Sequence, residues 1–259
     1  MGTTQRALDT QELEQRVKEM YREVAEEPDK EFHFETGRTL AERLGYSAAE
    51  LDAIPAPSID SFAGVGYYFD LAAIKRGERV VDLGSGSGMD SFLAARQTGE
   101  AGSIVGIDMT EAQLAKSRRL ATEQGFANVD FTEAHIEQLP LDNGSADVVI
   151  SNGVINLSPD KTKVFAEAAR VLRPGGRLAI ADIVTATQLP EGVTCDAALW
   201  AACIGGAMQR DDYREAIETA GFDIDDLKEN DQYHFVSERA DNATQKYGVK
   251  SVSLLAIKR

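Results

Sequence analysis

A chain of 259 residues, 43% hydrophobic, 27% charged and 7% aromatic, can bury one large α/β core with a modest extra segment. Its 43 acids against 27 bases leave a net charge of −16, a field that disfavours nucleic-acid phosphates and anionic lipid surfaces. No apolar run approaches the roughly 18 residues that span a bilayer. The opening MGTTQRALDTQELEQ is too polar and acidic for a secretory or transit signal, and Arg6 stands where a myristoylation motif needs Ser or Thr. The expectation is a cytoplasmic protein with no membrane or nucleic-acid partner. Two cysteines, Cys195 and Cys203, are not expected to form a structural disulfide in that compartment.

Asp9-Thr-Gln-Glu12 fits a capping box, and Leu13, Val17, Met20, Tyr21 and Val24 share one face of the helix that follows. Pro28 ends it. Thr36 to Leu44 predicts a second helix, stopped by Gly45, and Ser47-Ala-Ala-Glu50 is another capping box before Pro55 and Pro57. Residues 1–70 therefore read as a helical cap. Its last piece, SIDSFAGVGYYFD, carries two glycines and two tyrosines.

From Gly77 onward strands and helices alternate, which predicts a mostly parallel sheet with helices on both faces over residues 71–259. Strands are expected at 79–83, 103–107, 129–132, 147–151, 177–183, 224–229 and 251–257, seven in all. Helices are expected at about 89–98, 111–125, 160–172, 195–208 and 211–220. The central stretch is RVVDLGSGSG, Arg79 to Gly88: a buried strand running into a loop with three glycines in five positions. Glycine lets a ligand approach bare backbone, and the N–H groups of a helix starting at Met89 would face that ligand. The dinucleotide pattern G-x-G-x-x-G fails, because Met89 stands three after Gly86. A second apolar strand, Ser103 to Asp108, ends in an acid that can accept both hydroxyls of a ribose, at roughly 1.5–3 kcal/mol per charge-assisted bond. Alone, Asp108 reads equally as a helix N-terminal acid before Thr110-Glu-Ala-Gln.

Asp82-Leu-Gly84-Ser-Gly86-Ser-Gly88 resembles the first motif of class I S-adenosylmethionine-dependent methyltransferases, and LRPGGRL at 172–178 is similar to another of their segments. The resemblance implies a Rossmann-like α/β fold whose last two strands form an antiparallel hairpin. It also implies S-adenosylmethionine as cofactor and S-adenosylhomocysteine as product. Contacts to that cofactor are implied for Asp82, Gly84, Ser85, Gly86, Asp108, Met109, Ile136, Glu137, Ser151 and Asn152. Ile136 would pack on the adenine, Glu137 would meet its amine, and Ser151 and Asn152 would line the methionine and methyl. Asn152 is also a candidate for the catalytic step. His135 reads as an ordinary loop histidine in preference to a catalytic one, and Asn156 as a substrate contact or, slightly favoured, as the cap of a helix beginning near Pro159.

The resemblance sharpens over residues 40–259. LGYSAAELDAIP, GIDMT, SN-x-VINL-x-PDK and LW-x-x-C-x-x-GA resemble the arsenite methyltransferases, in that order. In that family three cysteine sulfurs hold soft As(III), for the reason thiolates select soft metals. Here the expected positions are Val65 and Gly153, and Cys203 alone matches. Cys195 lies eight residues before Cys203, roughly 12 Å along a continuous helix and too far to share one ion.

The reading is a methyltransferase for a small molecule, with no nucleic-acid substrate: SNGV stands where N/D-P-P-[YF] would be needed. Substrate-side helices are expected at about 190–220, and the pocket is expected to involve Val65, Tyr67, Tyr68, Gly153, Trp200, Cys203 and Met208. No metal site is expected. Methylation of arsenicals or thiols through Cys203 with external thiols is one alternative. A non-catalytic S-adenosylmethionine-binding protein is the other.

Overall fold

The computed structural model describes residues 9–194, 200, 204–236 and 244–259. Cys195 and Cys203 lie outside the described residues, as does most of the helix expected at 195–208.

Helix α1 spans Thr10–Glu26, capped by Asp9, whose carboxylate accepts from the N–H groups of Gln11 and Glu12. Short helices α2 (Arg38–Leu44), α3 (Ala48–Leu51), α4 (Ala56–Asp60) and α5 (Phe69–Ala72) follow, with the Ser47/Glu50 capping box formed in both directions. The alternating part then runs β1 (Arg79–Leu83), α6 (Met89–Thr98), β2 (Ser103–Asp108), α7 (Glu111–Gln124), β3 (Val129–Glu133), β4 (Ala146–Asn152), α8 (Lys161–Val171) and β5 (Leu172–Thr185). A turn of helix, α9 (Glu191–Thr194), precedes β6 (Met208–Gln209), α10 (Arg210–Thr219), β7 (Phe222–Glu229) and β8 (Lys250–Lys258).

The sheet order is β3-β2-β1-β4-β5-β8-β7, parallel through β5 and antiparallel at β5–β8 and β7–β8. Each predicted strand is present. The count of seven is corrected to eight: Met208 and Gln209 pair in parallel with Val184 and Thr185 at the end of β5. Met208 therefore belongs to a strand, and the helix expected to reach it does not extend that far. The sequence Gly205-Gly206 before it breaks helical periodicity.

Both faces of the sheet are covered, which is why its strands are apolar throughout and not alternating. Val80, Ile104, Val148, Ile150, Ala179 and Ala181 point into one buried cluster with residues of α1–α7. Val81, Leu83, Ile107, Val149, Leu178 and Ile180 point into the other, against α8 and α10. The cap residues Leu13, Val17, Leu40, Leu44 and Tyr46 share the first cluster with Phe92, Leu114 and Phe131, so the N-terminal helices pack directly on the α/β core. Polar ties reinforce this. Gln113 Nε2 on α7 donates to the Tyr21 carbonyl (2.8 Å), and Lys116 Nζ donates to Ala25 O (3.0 Å) and Ser61 Oγ (2.8 Å). Among the described residues no helix is long and apolar enough to cross a membrane.

Candidate cofactor and acceptor site

The loop after β1 is clamped to β2. Gly84 N–H and Ser85 N–H both donate to the Ile107 carbonyl, at 2.8 and 2.9 Å. Gly84 has φ +71°, and a Cβ there would stand 2.6 Å from Val154 Cβ, so no other residue fits. Asp108, at the end of β2, accepts from Gly86 N–H (2.9 Å) on one oxygen and from Thr110 N–H (2.8 Å) on the other. Burial pushes its carboxyl above the ordinary value, while these backbone donors oppose the shift. Asp82 is buried at the end of β1 and accepts from Ser91 Oγ at 2.6 Å. Burial first, and then the neighbouring Asp90, raise it to about 8. Ser85 Oγ is buried without a hydrogen-bond partner among the described residues. Helix α6 starts without a side-chain cap, so its first N–H groups face the same space.

Opposite the loop, Asn152 ties distant segments together. Its Oδ1 accepts from Val65 N–H (2.8 Å) and Gly66 N–H (3.3 Å). Its Nδ2 lies within hydrogen-bonding range of Gly66 O (3.0 Å), Tyr46 Oη (3.0 Å) and Asp90 Oδ2 (3.1 Å). Asp90 accepts in addition from Tyr46 Oη on Oδ1 (2.8 Å) and from Tyr68 Oη on Oδ2 (2.7 Å). Burial raises Asp90 and these donors hold it back, whereas both phenols are driven well above the usual tyrosine range by burial and by Asp90.

These elements enclose a cavity of about 890 Å³, a size that suits a cofactor and an acceptor together. Its walls are the β1–α6 loop, the ends of β2 and β4, Ala134 to Gln138, Phe62 to Gly64, the segment Leu157 to Asp160, and one face of α1 with Leu13, Val17 and Tyr21. Of the sequence-derived candidates, Asp82, Gly84, Ser85, Gly86, Asp108, Met109, Ile136, Glu137, Asn152 and Gly153 are on the wall. Glu137 accepts a hydrogen bond from Ser158 Oγ. His135, also on the wall, has Nε2 3.7 Å from Glu14 Oε1 on α1.

Other candidates stand behind the wall. Ser151 is fully buried and its hydroxyl donates to Leu83 O at 3.0 Å, so it braces two strands. Tyr68 is fully enclosed against Phe69 and reaches the site through Asp90; Tyr67 is half-buried, edge-on to Tyr46 at 4.9 Å. Trp200 is buried with Lys161 Nζ 4.8 Å above its ring and its Nε1 donating to Thr194 O. Asn156 does not cap α8; Asp160 does, through Lys163 N–H, and Asn156 lies buried with its N–H donated to Asp182. Val65 packs behind Gly153: a Cβ on Gly153, which has φ +72°, would stand 3.2 Å from Val65 Cγ1. Sequence reasoning missed Asp90, Tyr46, Gln113 and the α1 wall. The amphipathic face of α1 was visible, but nothing local says what it covers.

The unpartnered Ser85 hydroxyl, the bare backbone at Gly84 and the acid at Asp108 fit the methionine and ribose ends of S-adenosylmethionine. Comparison with known proteins identifies the family. Residues 74–221, more than half of the chain, match the family described as a methyltransferase domain. The chain is 40% identical over 198 residues to an arsenite methyltransferase of Halobacterium salinarum, covering 76% of this chain and 50% of that protein. It is 43% identical over 157 residues to another from Aquipseudomonas alcaligenes, covering 58% and 45%. The chain thus spans about half the length of these curated relatives. Among solved structures, an arsenic(III) S-adenosylmethionine methyltransferase from Chlamydomonas reinhardtii superimposes with a TM-score of 0.63 at 30% identity, covering 86% of this chain and 73% of that one.

Proposed function

This chain belongs to the class I S-adenosylmethionine-dependent methyltransferases, close to the arsenite methyltransferases, and on that premise we propose that it methylates a small molecule other than thiolate-held arsenite. One observation carries the reading. Val65 and Gly153, the two positions where the family's resemblance calls for cysteine, are neighbours here, and the valine methyl groups fill the space between them. A pair of aliphatic groups offers no ligand to a soft cation.

S-adenosylmethionine, when bound, supplies an electrophilic methyl group on a sulfonium. The chain's own task is to bind, orient and keep water away, which suits a site with no nucleophile–base pair. Ser85 Oγ and the free N–H groups at the start of α6 hold the amino-acid end. Asp108, whose oxygens keep further lone pairs beside their loop contacts, would accept the ribose hydroxyls, and Ile136 with Glu137 would meet the base. Phe62, Val154 and Leu157 give the acceptor side an apolar wall.

A second reading rests on Trp200. Lys161 stands over its ring, and Gly206 approaches the Asn156 carbonyl so closely that a Cβ would stand 1.9 Å from it; Cys203 itself lies outside the described residues. Cys203 with external thiols would then hold a pre-methylated arsenical. S-adenosylhomocysteine release is measured with arsenite, a monomethyl arsenical and a panel of thiols and phenols, on the wild type and Cys203→Ser. Turnover on an organic acceptor that ignores the substitution supports the first reading. Arsenical turnover lost in the variant overturns it. Cofactor binding without turnover of any acceptor in the panel would mark a non-catalytic binder.

A further inference from the structure

Asp90 is a carboxylate on the cavity wall, 6% exposed, with no cationic side chain acting on it among the described residues. Its three partners are all donors: the Tyr46 hydroxyl, the Tyr68 hydroxyl and the Asn152 amide. Tyr68 is completely enclosed, so its proton has nowhere else to go. A carboxyl group that receives three donors is built to be an anion. A carboxylate buried to this degree without a counter-ion among the described residues is costly, and a cation arriving beside it recovers part of that cost.

Cations are scarce among the described lining residues. Lys163 is the one Lys or Arg among the described lining residues, against Glu14, Asp82, Asp90, Asp108, Glu137 and Asp160. Asp90 lies two residues beyond the glycine loop and is bonded to Asn152 at the end of β4. It therefore borders the space between the loop, where the amino-acid end is held, and the strand end, which the acceptor must reach. In the cofactor the group between those two places is the sulfonium. After methyl transfer the same sulfur is a neutral thioether, whereas the ammonium and carboxylate are unchanged.

We propose that Asp90, oriented by Tyr46 and Tyr68, is a specificity-determining residue that favours the sulfonium cofactor over the thioether product. Asp90 would thus bind the charged cofactor more tightly than the neutral product. The inference rests on cofactor binding alone and needs no knowledge of the acceptor.

Calorimetry on the full chain tests it, with S-adenosylmethionine, S-adenosylhomocysteine and sinefungin, whose protonated amine replaces the S–CH3 unit. Asp90→Asn keeps the shape and removes the charge. It is expected to weaken S-adenosylmethionine and sinefungin about 10-fold or more, about 1.4 kcal/mol, and S-adenosylhomocysteine less than about threefold. Equal loss on all three ligands assigns the carboxylate to the shared ammonium or to the shape of the site, and overturns the proposal; so does no loss on any. If thermal melting shows that Asp90→Asn does not fold, Asp90→Ser carries the same expectation. A wild type that binds none of the three would overturn the cofactor assignment itself, an outcome distinct from the failure of the Asp90 role.

Discussion

Asn152→Ala is the most informative single change to the scaffold. The amide spans the 64–66 loop, the cap residue Tyr46 and the α6 residue Asp90, across sequence separations of 86, 106 and 62 residues. Removing it strands the N–H groups of Val65 and Gly66 and one donor to Asp90. Each buried donor left unmade costs about 1–3 kcal/mol. Asn152 borders the cavity, so water can replace some of these bonds, and the net loss is set at roughly 2–4 kcal/mol. A chain of this length loses about 2–4 °C per kcal/mol, so the melting temperature should fall by roughly 4–16 °C. Urea denaturation and calorimetric melting on the wild type and variant measure this directly. S-adenosylmethionine affinity should fall in parallel, because Asp90 loses its hold on the β4 side. A stability change under about 0.5 kcal/mol would show that the loop N–H groups find other partners, and the account of Asn152 as the tie would be wrong.

Asp108→Ala should weaken S-adenosylmethionine binding about 10-fold or more, at about 1.4 kcal/mol per factor of ten; unchanged affinity by calorimetry would remove the ribose assignment. Gly153→Ala forces a side chain into the left-handed region and a Cβ to 3.2 Å from Val65 Cγ1, and should cost about 1–2 kcal/mol. Adding Val65→Ala should recover the contact part of that loss and not the backbone part. Asp82 gives the pH prediction. Its folded value of about 8 lies above the unfolded one, so between roughly pH 4 and 8 the native state keeps a proton that the unfolded chain has released. Its contribution therefore makes the unbound protein less stable as pH rises through that window, and the effect levels off above it. Asp82→Asn should flatten this part of the profile in urea titrations from pH 5 to 9. Superimposable slopes for wild type and variant would refute the assignment.

The local pattern in the chain determined most of the scaffold. Apolar runs of five to seven residues bounded by glycine and polar turns specify buried strands. Asp9, Ser47 and the GSGSG loop specify where helices and backbone turns begin, because those effects act over three or four residues. The segments proposed to meet the cofactor were visible for the same reason: Asp82 to Gly88 and Ser103 to Asp108 each place their polar groups at the end of a single strand. The Met208–Gln209 strand was not legible. Two residues carry no period, and they pair only because β5 continues to Thr185 and leaves an open edge.

Tertiary structure alone decided the rest. Asn152 carries the chemistry of a ligand contact in the sequence, yet its amide is committed to loop, cap and helix. Asp90 reads as a first-turn helix acid, until Tyr46 and Tyr68 arrive from the cap and make it a buried acceptor of their hydroxyls. Val65 and Gly153 are 88 residues apart, and only the crossing of the 62–66 loop over β4 brings one against the other. Hydrogen bonds and close contacts over such separations depend on where the chain crosses itself, which propensity and periodicity do not encode.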